Sequence, residues 1–141
     1  MRRTVCLLVG VLLVVPSLGS DTPKDYDGAA EAADLEGSWQ QVGVVWNGRL
    51  TTTEVGPVWT YRNGRETTHD DGRLVGECPY TVDASSRPAR MDTVETAGKH
   101  KGKTWRHIYR VEGDTLRMAH GPPGGERPRS FEDKDANIGI H

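Results

Sequence analysis

The sequence predicts a small all-β domain, an antiparallel meander of about eight strands that curls into a barrel. Asn47-Gly48 and Asn63-Gly64 are typical of two-residue hairpin loops, because type I′ turns need positive φ at both central residues. Further turn residues occur at Asp70-Asp71-Gly72 and Gly113-Asp114. No long helical period follows Gly37, so the regular spacing of these turns favours an all-β meander.

The first segment, residues 1–19, is predicted to be a signal peptide. Arg2-Arg3 precedes an apolar run over Val5–Val15, which Pro16 ends, and this order is that of a secretory signal. Eleven residues cover little more than half of a bilayer core. We therefore favour a cleaved signal over the alternative, an uncleaved membrane anchor, and expect a periplasmic or secreted protein without a transmembrane helix in its mature chain.

Residues 20–34 are predicted to be a flexible linker, and a short helical turn is expected near Ala29–Leu35. Residues 35–141 then form the barrel domain. The whole chain of 141 residues is too short for two such domains. Its net charge of −2 and lack of a long run of like charges argue against a nucleic-acid partner. Aliphatic residues are few after residue 19, so four tryptophans and four tyrosines are expected to supply much of the core.

The segments between the turns predict the strands. They extend approximately over Ser38–Trp46, Val58–Arg62, Arg65–His69, Leu74–Asp83, Arg90–Thr96, Thr104–Glu112, Thr115–His120 and, weakly, residues 129–140. In the first strand, Val42, Val44 and Trp46 lie on the face opposite Trp39 unless Gly43 is a bulge.

The hairpin around Gly113-Asp114 can be predicted in register, because residues equidistant from a two-residue loop face each other. The pairs expected on the inner face are mostly apolar or aromatic: Val111 with Leu116, Tyr109 with Met118, and His107 with His120. The pairs expected to face water are mostly polar: Arg110 with Arg117, Glu112 with Thr115, and Ile108 with Ala119.

Short motifs along residues 34–132 resemble a known family, the lipocalin-like conserved domain of unknown function found in many copies in planctomycete bacteria. The matching stretches are Asp34-Leu35-Glu36-Gly37-Ser38-Trp39-Gln40, Asn47-Gly48, Tyr80-Thr81-Val82-Asp83, Arg87-Pro88, Gly102-Lys103-Thr104, Ile108-Tyr109, Gly113-Asp114-Thr115-Leu116, Pro122-Pro123-Gly124, Glu126-Arg127-Pro128 and Phe131.

The resemblance implies an exported lipocalin-like barrel and no established activity. Gly37-Ser38-Trp39 is similar to the G-x-W of lipocalins, in which the tryptophan closes one end of the barrel. A basic residue late in the chain packs over that tryptophan in lipocalins, and Arg127 and Arg129 are the candidates. The weak sequence after Ala136 departs from the pattern at the strand that should close the barrel.

Two local features could carry chemistry, and each has a simpler structural explanation. His107 and His120 could share a metal ion if His100, Glu77 or Cys78 converged on them; we prefer two neutral, hydrogen-bonded histidines at a wet barrel mouth. Cys78, the only cysteine after the signal, could form an intermolecular disulfide or act as a nucleophile. We prefer a partly buried structural thiol and assign no catalytic residue, metal or cofactor.

The sequence therefore favours a binding protein over an enzyme, with a small apolar or amphipathic ligand inside or at the mouth of the barrel. The residues expected to contact the ligand are Trp39, Trp59, Trp105, His107, Tyr109, Met118 and His120. One alternative is a ligand-free envelope interaction module, with a possible Cys78-mediated dimer. The other is a metal-binding protein or metal-dependent enzyme that uses His107 and His120.

Overall fold

A computed structural model describes residues 34–133 and 136–141, and they form an all-β fold. Within these residues there are ten strands and one 3₁₀ turn, Gly98–His100. The strands are β1 (Gly37–Gln40), β2 (Gly43–Trp46), β3 (Arg49–Thr52), β4 (Val58–Arg62), β5 (Arg65–Asp70), β6 (Arg73–Asp83), β7 (Ala89–Val94), β8 (Thr104–Glu112), β9 (Thr115–His120) and β10 (Asn137–Ile140). No helix in this described part is long and apolar enough to cross a membrane.

The strand count exceeds the predicted eight for two local reasons. The first predicted strand is divided into β1 and β2, and the chain after Asn47-Gly48 forms β3. At the other end only Asn137–Ile140, rather than most of residues 129–140, is a strand. Asp34 and Leu35 are helical, whereas the predicted signal peptide and most of the linker lie outside the described residues.

The strands form one curled antiparallel sheet, which makes the fold barrel-like. The order is β1-β4-β5-β6-β7-β8-β9-β10-β2-β3, so β1 and β2 lie far apart in the sheet although only two residues separate them. Gln41 N–H donates to Pro57 O at 2.9 Å, and Val42 N–H donates to Ile140 O at 2.8 Å. The segment between β1 and β2 therefore bonds both to the residue before β4 and to the last residue of β10.

The break between β1 and β2 also decides which side chains face inward. Trp39 is opposite Trp59, whereas Val44 is opposite Gly139 of β10. The alternation of inward-facing and outward-facing side chains shifts by one residue at Gln41–Val42. This is just before Gly43, where the sequence suggested a bulge. Trp39 and Val44 therefore both contribute to the inner side of the sheet, although one has an odd and the other an even number.

The packed part of the interior lies toward the Gly113-Asp114 turn. Its buried members are Leu35, Tyr61, Tyr80, Ala89, Met91, Tyr109, Leu116 and Met118, with Trp39, Trp59, Val82 and Val111 packed against them. Leu35 precedes the sheet, and the Trp39 indole N–H donates to its carbonyl at 2.8 Å. Leu35 and Trp39 are thus held together by both apolar contact and a hydrogen bond.

The β8–β9 register is as predicted in all six pairs, from His107 with His120 to Glu112 with Thr115. The prediction that the second set of pairs faces water is wrong for Ile108 and Ala119, which are 2% and 0% exposed. A second buried cluster covers them, formed with Phe131, Ala136 and Ile138. The chain between β9 and β10 supplies this cover, so the sheet is buried on both faces at this point.

Candidate ligand-binding site at the barrel mouth

A cavity of about 520 Å³ opens at the end of the β8–β9 hairpin away from its turn. The residues that line it are Gln41, Val44, Trp46, Trp59, Trp105, His120, Gly121, Pro122, Asn137 and Gly139. Three indoles dominate this wall. Its polar side chains are two amides and one imidazole, and none of the lining residues is an acid, a lysine or an arginine.

The ends of several strands bring these side chains together. Trp46 is the last residue of β2, and in the register of β2 and β10 it follows directly from the Val45–Ile138 pair. His120 ends β9 and is opposite Asn137, the first residue of β10. Trp46 is 57% exposed, which places its indole at the rim. The cavity therefore depends on the pairing of β2 with β10.

His141 does not line the cavity, but it packs against Trp59, which does. The ring of His141 lies edge-on to Trp59, with 4.7 Å between ring centroids, and His141 is 7% exposed. A Cβ atom on Gly139 would lie 2.5 Å from His141 Nε2, so the absence of a side chain at Gly139 makes room for this ring. Burial and the nearby His120 lower the pKa of His141 to about 4.

Behind the cavity wall, a hydrogen-bonded chain connects Thr93, His107 and His120. Thr93 Oγ1 lies 2.9 Å from His107 Nε2, and His107 Nδ1 lies 3.0 Å from His120 Nδ1. Burial lowers the pKa of His120 to about 4. Burial, with the charges of His120 and Arg127, lowers the pKa of His107 well below its usual value. Both rings are therefore neutral at neutral pH.

This neutral chain has two proton arrangements, because each neutral imidazole carries one N–H. If Thr93 donates to His107, then His107 donates to His120, and His120 Nε2 carries the remaining hydrogen. If the direction is reversed, His120 Nε2 is an acceptor. His120 can thus match either a hydrogen-bond donor or an acceptor without acquiring charge.

Of the seven residues predicted to contact a ligand, the structure brings Trp59, Trp105 and His120 to the cavity. The other four lie outside its lining. Trp39, Tyr109 and Met118 belong to the packed interior, and His107 stands behind His120.

Sequence reasoning missed several lining residues, including Trp46, Val44 and Asn137. Their inward placement depends on the break at Gln41–Val42 and on the position of β10. The feature of the sequence that could have indicated a site here is an aromatic residue, Trp46, immediately before the Asn47-Gly48 turn.

The three residues considered as additional metal ligands are engaged elsewhere. His100 lies edge-on to Trp105, with 5.9 Å between ring centroids, and Glu77 pairs with Arg65. Cys78 Sγ lies 3.9 Å from Glu95 Oε1. Among residues 34–133 and 136–141, no group of three or more His, Cys, Asp and Glu side chains could hold a metal ion.

Cys78 lies in β6, opposite Glu66 of β5. Only 9% of Cys78 is exposed, and burial is the main cause that raises its pKa. A buried thiol with a raised pKa contains little thiolate, the form that reacts in disulfide exchange.

Glu66 is a second ionisable group on the inner side, opposite Tyr61 of β4. Burial raises the pKa of Glu66 to about 7, and the charge of Glu95 adds to the rise, while a hydrogen bond with Tyr61 opposes it. The carboxyl group therefore ionises at a higher pH than an exposed glutamate does, and it lies outside the cavity lining.

In comparisons with known proteins, the chain matches no family model, no curated protein and no solved structure. A barrel-like fold hosts many unrelated functions, so it does not by itself indicate one. The residues that line the cavity are therefore the feature that bears on function.

Proposed function

We propose that this protein is an exported binding protein that holds a small, uncharged, apolar or amphipathic molecule in the mouth cavity. The observation that carries the proposal is a cavity of about 520 Å³ walled by three indoles and free of charged side chains. Its volume lies within the range of about 300–1,000 Å³ that is common for small-molecule sites.

The indoles are suited to hold an apolar ring or chain. Trp46, Trp59 and Trp105 belong to β2, β4 and β8, so they approach the cavity from separate strands. Each indole offers a large apolar surface with only two rotatable side-chain bonds, so little conformational entropy is lost on binding. Contact with several rigid walls favours a compact ligand.

The polar groups favour a neutral ligand. Gln41, Asn137 and His120 can donate or accept hydrogen bonds, and they can orient a hydroxyl, carbonyl or amide group. A charged ligand would lose hydration in this cavity without gaining an opposite charge, which is unfavourable. The expected ligand therefore combines an apolar body with one or two uncharged polar groups.

The lining also favours binding over catalysis. It contains no carboxylate, thiol or hydroxyl side chain, and its one titratable group, His120, has a pKa of about 4. A general acid or base works best with a pKa near the operating pH. The resemblance to an exported lipocalin-like family supports only the exported, barrel-like part of the proposal.

The proposal is tested with the neutral fluorescent probe N-phenyl-1-naphthylamine. We expect saturable enhancement of probe fluorescence by the wild-type protein. Trp46→Ala removes an exposed cavity indole and should weaken binding about tenfold, the effect expected when one large apolar contact is lost. Leu74→Ala is the matched control, because Leu74 is 56% exposed and lies outside the cavity, and it should leave the affinity unchanged.

Two results would contradict the proposal. One is fluorescence that rises linearly with probe concentration and does not saturate. The other is an equal loss of affinity in Trp46→Ala and Leu74→Ala, which would indicate nonspecific adsorption to exposed apolar surface.

A further inference from the structure

The exposed large apolar side chains of the described residues are concentrated at one end of the sheet. Successive strands of an antiparallel sheet reverse direction, so the connections β2–β3, β5–β6, β7–β8 and β9–β10 lie at the end where the cavity opens. We call it the mouth end. Of the exposed large apolar residues, Val42 precedes β2 and Val55 lies between β3 and β4. The others all lie beside mouth-end connections, and they are Trp46, Leu50, Leu74, Val75 and Val94.

The β5–β6 hairpin projects beyond its neighbour at the mouth end. β6 extends over Arg73–Asp83, but it pairs with β7 only over Tyr80–Asp83. Leu74 and Val75 lie in the part of β6 that this pairing does not reach, and both are exposed. The hairpin tip can therefore enter another environment without any change in the sheet.

The β2–β3 turn forms a second apolar projection. Trp46 is opposite Arg49, and Leu50 is opposite Val45. Every residue of β3 is exposed, so Leu50 has little cover from the rest of the described chain. Two separate hairpin tips thus carry apolar side chains beside the mouth cavity.

The connection from β7 to β8 supplies positive charge at the same end. Lys99, Lys101 and Lys103 are exposed and are the only lysines among the described residues. We call Gly98–Lys103, which contains no acidic residue, the lysine loop. Backbone bonds fix its position, because Gly102 N–H donates to Glu95 O at 2.8 Å and Glu95 N–H donates to Lys103 O at 3.0 Å.

The acidic residues of the mouth end lie outside the lysine loop. Asp70 is opposite Arg73 in the β5–β6 hairpin, and Asp71 lies in the turn itself. Glu95 precedes the lysine loop, and Glu126 follows β9. Positive charge is therefore concentrated on the side of the mouth that the lysine loop occupies.

The chain after β9 follows the side of the sheet. The Arg127 guanidinium donates to Met91 O at 3.1 Å and to His107 O at 2.6 Å, and it pairs with Asp92 Oδ1 at 2.5 Å. This placement differs from the expectation that Arg127 packs over Trp39. The contacts hold this segment beside β7 and β8, and the apolar tips at the mouth end stay exposed.

We propose that the mouth end docks on the surface of an anionic phospholipid bilayer, with the two apolar hairpin tips in the interface and the lysine loop against the headgroup phosphates. Tryptophan is favoured at the level of the headgroups, and basic residues beside apolar ones promote binding to anionic bilayers. A fluid lipid surface accommodates separate projections, whereas a protein partner needs a complementary, closely packed surface. Docking does not require a bound ligand, and it places the opening of the cavity against the lipid.

The test is an NMR measurement on the full chain with bicelles of phosphatidylcholine and phosphatidylglycerol that contain a lipid with a nitroxide on its headgroup. The nitroxide broadens the signals of nuclei near the bilayer surface. We expect strong broadening of the indole N–H signal of Trp46 and little broadening for Trp39, which lies at the packed end. Because two indoles of one chain are compared, the result reports orientation, however residues 1–19 interact with the lipid.

Matched apolar variants locate the contact. Leu74→Asp should reduce the broadening of Trp46 several-fold, whereas Val55→Asp, at an exposed position away from the mouth end, should retain it. Leu74 lies outside the cavity, so Leu74→Asp should still bind N-phenyl-1-naphthylamine like the wild type. Loss of docking and loss of ligand binding are therefore separate outcomes.

Matched charge variants test the lysine loop. Lys99→Gln/Lys101→Gln should weaken binding to the anionic bicelles about tenfold, because two contacts with anionic headgroups are lost. Arg62→Gln/Arg110→Gln removes the same charge from exposed positions nearer the other end, and it should bind like the wild type.

Three results would overturn the proposal. The first is equal broadening of Trp39 and Trp46, and the second is an equal loss in Leu74→Asp and Val55→Asp. The third is the absence of broadening with anionic bicelles, which would leave a protein as the partner of the mouth end.

Discussion

Leucine side chains show how sharply burial differs between positions in this small domain. Leu35 is 0% exposed and belongs to the cluster that fills the interior. Leu74, in β6, is 56% exposed. Since truncation of a buried leucine removes apolar contacts and leaves a cavity, the same substitution should have different consequences at these two positions.

We predict that Leu35→Ala lowers the free energy of unfolding by about 2–5 kcal/mol. Leu74→Ala should change it by less than about 0.5 kcal/mol, as is usual for exposed positions. Urea denaturation at neutral pH measures both values. Similar effects in the two variants would show that Leu35 does not close the packed end of the sheet.

At the scale of elements, the β8–β9 hairpin was predictable because its register is local. Gly113 has φ of 59°, as the first central position of a type II′ turn requires, and the turn then fixes every pair from Glu112–Thr115 to His107–His120. Burial on the outer face was not predictable from the hairpin alone. Ile108 and Ala119 are covered by Phe131 and Ala136, which lie in a segment without strand periodicity.

The candidate site was only partly predictable for a related reason. Trp59, Trp105 and His120 were found because each lies in a strand with clear alternation. The inward position of Trp46 depends on the hydrogen bond from Val42 to Ile140, between residues almost a hundred positions apart. Pairing over such a separation leaves no local pattern in the sequence. The first predicted strand therefore could not show that its two halves, β1 and β2, pair with β4 and β10.

For the molecule as a whole, buried ionisable groups link stability to pH in opposite directions. His120 and His141 have pKa values of about 4 in the folded state. Their contribution to the free energy of unfolding is therefore present above about pH 6.5 and is lost as pH falls through 4. Glu66 has a pKa of about 7. Its contribution is present below about pH 4.5 and is lost as pH rises through 7.

The variant Glu66→Gln distinguishes the effect of the Glu66 carboxyl group on stability from the effects of the histidines, because an amide cannot ionise. Relative to the wild type, we predict that this variant gains stability between about pH 4 and about pH 8, by a total of the order of 3 kcal/mol for a pKa displaced to about 7. Urea denaturation of both proteins across this range measures the difference. A stability difference that is independent of pH would contradict a buried, pKa-raised Glu66.

The four tryptophans provide the most direct test of whether an uncharged ligand enters the mouth cavity. In an NMR titration with N-phenyl-1-naphthylamine, we predict that the indole N–H signals of Trp46, Trp59 and Trp105, which line the cavity, shift and saturate together. The signal of Trp39, whose indole bonds to Leu35 O at the packed end, should stay in place. Shifts of equal size for Trp39, or no shift for the three cavity indoles, would contradict binding of the ligand in the mouth cavity.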